Sequence, residues 1–194
     1  MADLILEWDS RSLEVFRGRR IEEALRRALS KAGGDAIRFV RTGTGKLVRQ
    51  RKRMKLGRVR AGLPIFFPAN KSQISDLLWR MDVSGVPVPL SEFPHRVVRR
   101  KEGRRHGGGV MVEVNVGKRQ LVKSAFVARM GSGHVGIFRR RGEARLPIDE
   151  AFTSRLSDVV QDNGFVPFVY AGAQARFAAT FARLLPTELS KVAP

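Results

Sequence analysis

From Ala36 to Ser75 the chain has no acidic residue, yet this span carries Arg38, Arg41, Lys46, Arg49, Arg51, Lys52, Arg53, Lys55, Arg58, Arg60 and Lys71. Unpaired ionised side chains are too costly to bury. These bases are therefore expected on a surface, with only sparse apolar residues between them. Two further clusters follow: Arg96, Arg99, Arg100, Lys101, Arg104 and Arg105, broken only by Glu102, and Arg139 to Arg145, broken by Glu143. Acidic residues gather near the N-terminus and in Asp149–Asp162. The net charge is +19. It implies a polyanionic partner, an acidic protein partner, or a place in an assembly where like charge is neutralised. The separation of signs favours a bipolar molecule whose basic and acidic surfaces meet between neighbouring subunits.

A length of 194 residues suits one domain, 1–194, with room for a core. A hydrophobic content of 43% argues against wholesale disorder. No apolar run approaches the ~20 residues of a membrane span, so no membrane association is expected. The opening MADLILEWDS is acidic and has no basic region before its short apolar run, so it is not expected to act as a secretory signal. With no cysteine, disulfides and thiolate metal sites are ruled out.

The elements read as an α+β fold: a long N-terminal helix, a small antiparallel sheet and two C-terminal helices. Ile21, Leu25, Ala28, Leu29, Ala32 and Ala36 recur at helical spacing and predict a helix over 12–41, with Glu22, Glu23, Arg26, Arg27 and Lys31 on its other side. Gly33-Gly34 is its weak point, marking either a kink or close packing of a neighbouring backbone. Thr42-Gly43-Thr44-Gly45 is predicted to end it. The stretch 42–75 is a basic arm or excursion. Within it, Lys46–Arg60 is either a short helix followed by an edge strand or a solvated arm. Strands are predicted at Asp76–Val83, at Val86–Leu90 on an edge because of its prolines, and at Pro94–Arg100. Val110–Val116 has the clearest alternation, and Gly117-Lys118 turns it into Leu121–Met130. A Gly131–His134 turn then leads to the strand Val135–Phe138. Leu146-Pro147-Ile148 is predicted to open a helix carrying Phe152, Leu156, Val159 and Val160. Asp162-Asn163-Gly164 breaks the chain. Residues 163–194 supply a last helix, from about Val166 to Leu185, stopped by Pro186.

Few groups converge as catalysis requires. His95, His106 and His134 form no paired metal motif. Asp82, Asp149, Glu150, Asp158 and Asp162 read as helix-surface charge rather than a nuclease cluster. Gly43–Lys46 lacks the spacing of a phosphate loop and follows a helix rather than a strand. Ser132 and His134 share one tight turn, which does not supply a nucleophile and base held by a third group. The expectation is no enzyme activity, no catalytic or metal-binding residue and no cofactor. The basic clusters suit phosphates, but without interleaved aromatics they do not suggest base readout.

In order along the chain come an alanine-bearing helix (Ala24, Ala28, Ala32, Ala36), the basic Lys46–Arg60, Pro89-Leu90-Ser91-Glu92-Phe93, and a valine-rich strand. Ala125-Phe126 with Met130 follow, then Ser132-Gly133-His134, Gly136-Ile137-Phe138-Arg139-Arg140 and Leu146-Pro147-Ile148. Over roughly Ile21 to Phe152 this order resembles the minor tail protein Z family of long-tailed phages. The resemblance implies a structural virion protein that completes the head-proximal end of the tail and joins it to the neck, without catalytic residues. It also implies a sixfold ring around the DNA channel, touching other copies of itself, tail terminator and neck or head–tail connector proteins, and possible contact with genomic DNA. Its place would be the virion, and the host cytoplasm during assembly, which the cysteine-free composition suits. Heterologous contacts that close into a ring, with basic meeting acidic flanks or edge strands pairing, would fit such a role. Candidate subunit-interface or DNA-contact residues are Ser132, His134, Phe138, Arg139, Arg140 and Arg141. Candidate basic-arm residues are Arg49, Arg51, Lys52, Arg53, Lys55, Arg58 and Arg60. The alternative is a general nucleic-acid-binding protein that holds DNA through its basic clusters, and a phage nuclease is the weakest reading.

Overall fold

A computed structural model describes residues 3–6, 19–69, 73–99, 108–142, 144–161 and 165–191. In chain order the first elements are β1 (Asp3–Leu6), α1 (Arg19–Arg51), α2 (Leu56–Ala61), β2 (Ile65–Phe66), β3 (Trp79–Asp82) and β4 (Pro87–Pro89). Next come β5 (His95–Val98), β6 (Gly109–Asn115), β7 (Lys118–Lys123), β8 (Ala125–Arg129) and β9 (Val135–Arg140). The last are β10 (Ile148–Glu150), β11 (Phe152–Arg155), α3 (Leu156–Gln161) and α4 (Phe165–Ser190). The fold is α+β, and its described strands form small antiparallel sheets, β1-β3-β2, β5-β6-β7, β10-β9-β8 and β11-β4, rather than one. Two compact units divide the chain. One draws on Met1–Thr44, Gly62–Val83 and Val160–Pro194, the other on Gly45–Ala61 and Ser84–Val159.

In the first unit, α1 buries Ala24, Leu25, Ala28, Leu29, Ala32, Ala36, Ile37 and Val40 along one face. Burying a side chain such as Leu29 or Ile37 contributes about 1.5–3 kcal/mol. The helix dipole is complemented by Glu22 in the first turn and by Arg49 and Arg51 in the last. The sheet follows period two: Trp79 and Met81 on the central strand β3 are buried, and Arg80 is exposed. Trp79 explains Gly33. A Cβ on Gly33 would lie 2.5 and 2.6 Å from ring atoms Cε2 and Cη2 of Trp79. The double glycine thus accommodates an indole side chain, where sequence reasoning offered a kink or a neighbouring backbone. Gly34 has ordinary room, its nearest neighbour being Phe67 at 3.8 Å.

Helix α4 is tied to α1 by polar contacts in the same unit. The Asp35 carboxylate accepts from Arg176 Nε at 2.8 Å and Thr180 Oγ1 at 2.9 Å. Burial pushes the Asp35 pKa up, but these two donors and Arg183 outweigh it, and the net shift is downward. Glu188 is 2% exposed and accepts from Lys31 at 2.6 Å and Lys191 at 3.1 Å. Those two ammonium groups hold its carboxyl below the ordinary value against the opposing effect of burial.

In the second unit, Val110 and Val112 of β6 enter the core with Val48, Met54 and Val59 from the basic segment. Arg53 N donates to Val114 O at 2.9 Å and Val116 N to Arg51 O at 3.0 Å, while Lys52 pairs with Asn115 as an isolated bridge. The bases of 46–60 therefore stand on a packed, hydrogen-bonded segment, not a solvated arm, and its second half is the helix α2 rather than an edge strand. Strand β4 lies in a two-stranded sheet with β11, an edge position that tolerates its prolines.

Several predicted boundaries are corrected. Thr42–Gly45 does not end α1, which continues to Arg51. Thr42 Oγ1 bonds Arg38 O at 2.9 Å within the helix, and Gly45 is buried beside Val59. The burial of Val48 then offsets the ~1 kcal/mol that each glycine costs. Ile21 is on the exposed side of α1, whereas Ala24 takes the buried position. Leu77 precedes β3 outside the strand, and Ile74–Asp76 is a 3-10 turn. Leu121–Met130 is two strands, parted at Ser124, whose φ is 59°. The helix after Pro147 is replaced by β10 and β11; only Leu156–Gln161 is helical. Pairing of Ile148–Glu150 with β9 outweighs the helical spacing, and Phe152, expected on an apolar face, is 52% exposed. Pro186 does not stop α4. Ala182, whose carbonyl loses its partner there, is exposed to water, and the Glu188 contacts hold the final turn. The predicted break at Asp162-Asn163-Gly164 lies outside the described residues.

Two measurements follow from this packing. In urea denaturation, Gly33→Ala is expected to lose stability, because overpacking against a rigid ring costs about 1–3 kcal/mol and exceeds the gain in helix propensity. Gly34→Ala is expected to gain up to about 1 kcal/mol. The depressed pKa of Glu188 contributes stability that is present above the ordinary glutamate pKa and lost as pH falls through the folded value. The melting temperature should therefore hold from neutrality to about pH 4.3 and decline below it. Glu188→Gln should start lower and lose less on acidification.

Candidate functional site

The hairpin of β8 and β9 carries the first set of candidate residues. Phe126 pairs with Phe138 and Val127 with Ile137 across the ladder. Gly133, at φ 85°, allows the turn, which is closed by Met130 N to His134 O and Gly133 N to Met130 O, both 2.8 Å. Ser132 and His134 are exposed. His134 Nε2 lies 2.9 Å from Glu150 Oε1 on the neighbouring strand β10.

The remaining candidates differ in role. Phe138 is 6% exposed and belongs to the core, with its ring 6.3 Å from Phe126 and edge-on to His134 at 6.4 Å. It supports the hairpin from inside and is not a contact surface of this unit, which corrects its placing among the interface candidates. Its place at the end of the apolar run Val135–Phe138 was the one signal in the sequence, since burial in β9 does not alternate: Gly136, Ile137 and Phe138 are all buried. Arg140 lies over the Phe126 ring at 5.5 Å, a cation–π contact worth about 0.5–1 kcal/mol at an exposed site. Arg141 is held by Asp149 through two hydrogen bonds of 2.7 and 2.9 Å. That pairing lowers the Asp149 pKa and raises that of Arg141. Arg139 is exposed, and no ion pair holds it among the described residues. The three arginines thus present one neutralised charge, one fixed on an aromatic face and one open.

The second set lines a cleft of about 540 Å³ in the same unit. Arg49, Lys52, Arg53 and Lys55 contribute from the end of α1 and the residues after it; Ser91, Glu92, Phe93, Pro94 and His95 contribute from the turn before β5 and its first residue. Lys52 is half-buried, and desolvation pushes its ammonium pKa down against the opposing charge of Asp158. Arg53 approaches Glu113 at 3.9 Å, while Arg49 and Lys55 are exposed. His95 Nδ1 bonds Phe93 O at 2.8 Å. Arg51, Arg58 and Arg60 do not line the cleft; Arg58 and Arg60 stand on α2. Sequence reasoning missed the facing wall, because Ser91–His95 carries no charge run and meets the basic segment only through the fold.

A smaller cleft of about 250 Å³ holds Glu113 beside Arg96, Met111 and Arg119. The Gly117 N–H first, then Arg119 and Arg53, keep the Glu113 carboxyl below its ordinary range. Among the described residues no three His, Asp or Glu side chains group as a metal site requires. Asp158 accepts from Arg155 N at 3.0 Å. His106, Arg100, Lys101, Arg104, Arg105 and Asp162 lie outside the described residues. No described helix is long and apolar enough to cross a membrane. Comparison with family models, with curated proteins and with solved structures finds no match to this chain.

Proposed function

We propose that this chain is a structural virion protein that completes the head-proximal end of a phage tail and joins it to the neck, as a homohexameric ring around the DNA channel. The motif order from Ile21 to Phe152 is the basis of the reading. The observation that carries it to a surface is the β8–β9 hairpin. Its turn is rigidly closed and its core-side ring is packed, and Arg139 and Arg140 emerge from its end without an acidic partner among the described residues. A hairpin of this kind suits a heterologous contact, in which a basic edge on one subunit or ring meets an acidic surface on the next. The partners under this reading are further copies of the chain, a tail terminator and a neck or head–tail connector ring. No catalytic step, metal or cofactor is assigned, and the site of action is the tail–neck junction of the virion. A second reading, nucleic-acid binding as the main task, draws its support from the basic cleft.

The test is reversal of the two arginines that have no acidic partner among the described residues. Arg139→Glu/Arg140→Glu places like charges against an acidic partner, which costs several kcal/mol at an interface. In a phage carrying the variant, the expected outcome is a sharp loss of titre with heads and tails accumulating unjoined in micrographs. Wild-type joining and titre would contradict the assignment.

A further inference from the structure

The basic cleft is built in a way that specifies its ligand chemistry more closely than charge alone. Four cations line it, and the backbone bearing two of them, Lys52 and Arg53, is fixed: residues 51 to 53 are bonded to the end of β6. The backbone is therefore set before a ligand arrives, and the ordering cost on binding falls on the side chains alone. Arg49 and Lys55 are exposed and have no acidic partner among the described residues. Lys52 is partly withdrawn from water, so an anion near its ammonium replaces lost solvation. Glu92 is the one carboxylate on the lining, leaving the cations in excess.

The apolar residues narrow the choice. Phe93 is 3% exposed and Met54 is also buried, so the one exposed ring on the lining is the His95 imidazole, bonded to Phe93 O, which is too little for a run of stacked bases. An acidic peptide would need an apolar anchor or a free strand edge for affinity. Of the apolar lining only Pro94 is exposed, a small anchor, and it has no N–H to offer at the start of β5. A chain of phosphates needs neither, and the lining supplies donors suited to it: guanidinium and ammonium groups and the Ser91 hydroxyl.

We propose that this cleft seats the sugar–phosphate backbone of duplex DNA, without sequence preference. The inference stands on the cleft alone and survives failure of the tail reading, because its test uses different residues. The full chain is titrated into two fluorescently labelled duplexes of unrelated sequence, and anisotropy is read across a range of salt. The wild-type protein should bind both equally. Arg49→Glu/Lys55→Glu should weaken binding to both by roughly tenfold or more and flatten the slope of log K against log salt by about two, one contact for each lost cation. Arg49→Gln/Lys55→Gln should flatten it similarly and guards against misfolding of the reversal variant. Arg139→Glu should leave the slope unchanged. Affinity and slope unaltered in both cleft variants would overturn the proposal. So would poly-glutamate that displaces the duplex as well as unlabelled duplex does, which would mark the cleft as a seat for acidic protein.

Discussion

The continuity of α1 through Thr42–Gly45 is the constraint on which much of this structure depends. The helix buries Ala24 to Val40 along one face and runs on to Val48, which is also buried. Two glycines and two threonines are poor helix formers, and in isolation they would end the element. Burial of the Val48 side chain, with Gly45 fitted beside Val59, makes continuation the better outcome. One consequence is that Arg49 and Arg51 leave from a helical last turn rather than a loop, where their charges also oppose the helix dipole's negative end. The other is that residues 51 to 53 arrive where β6 can bond them.

Charge is the second theme. Most of the described acids are engaged within the chain: Asp35, Asp82, Glu113, Asp149, Glu150 and Glu188 each contact a base or a histidine. They tie helices and hairpins together, and with every acid counted the chain still carries a net +19. The exposed pairs among them add little net stability, but each pairing engages one acid within the chain. The surplus at Arg49, Lys55 and Arg139 is left facing outward. A protein of this composition gains from a site in which others supply negative charge, such as an assembly, a nucleic acid, or both.

What could be read from the residues follows from how local the causes are. The period-two pattern of Val110–Val116 and the glycine turn before β9 are local, and the structure has both β6 and the β8–β9 hairpin. The helix expected after Pro147 was lost to a non-local cause, the pairing of Ile148–Glu150 with β9. Pro186 is tolerated because Glu188 is anchored by Lys31, a residue from the far end of the chain. Gly33 announced a close approach, but nothing nearby named Trp79 as its partner. The candidate sites divide the same way. The basic residues and the arginines of β9 were visible as runs of like charge. The core role of Phe138 and the Ser91–His95 wall required the fold to bring distant residues together.

The account rests most directly on α1 being a single helix, since its last turn starts the basic cleft. Amide hydrogen exchange, followed residue by residue by NMR, tests this at Thr42, Gly43, Thr44 and Gly45. Protection comparable to that of Leu29–Val40 is the expected result, because all four amides would be helical donors in a packed element. Exchange at the rate of an open loop at these four positions, with protection on either side, would contradict it.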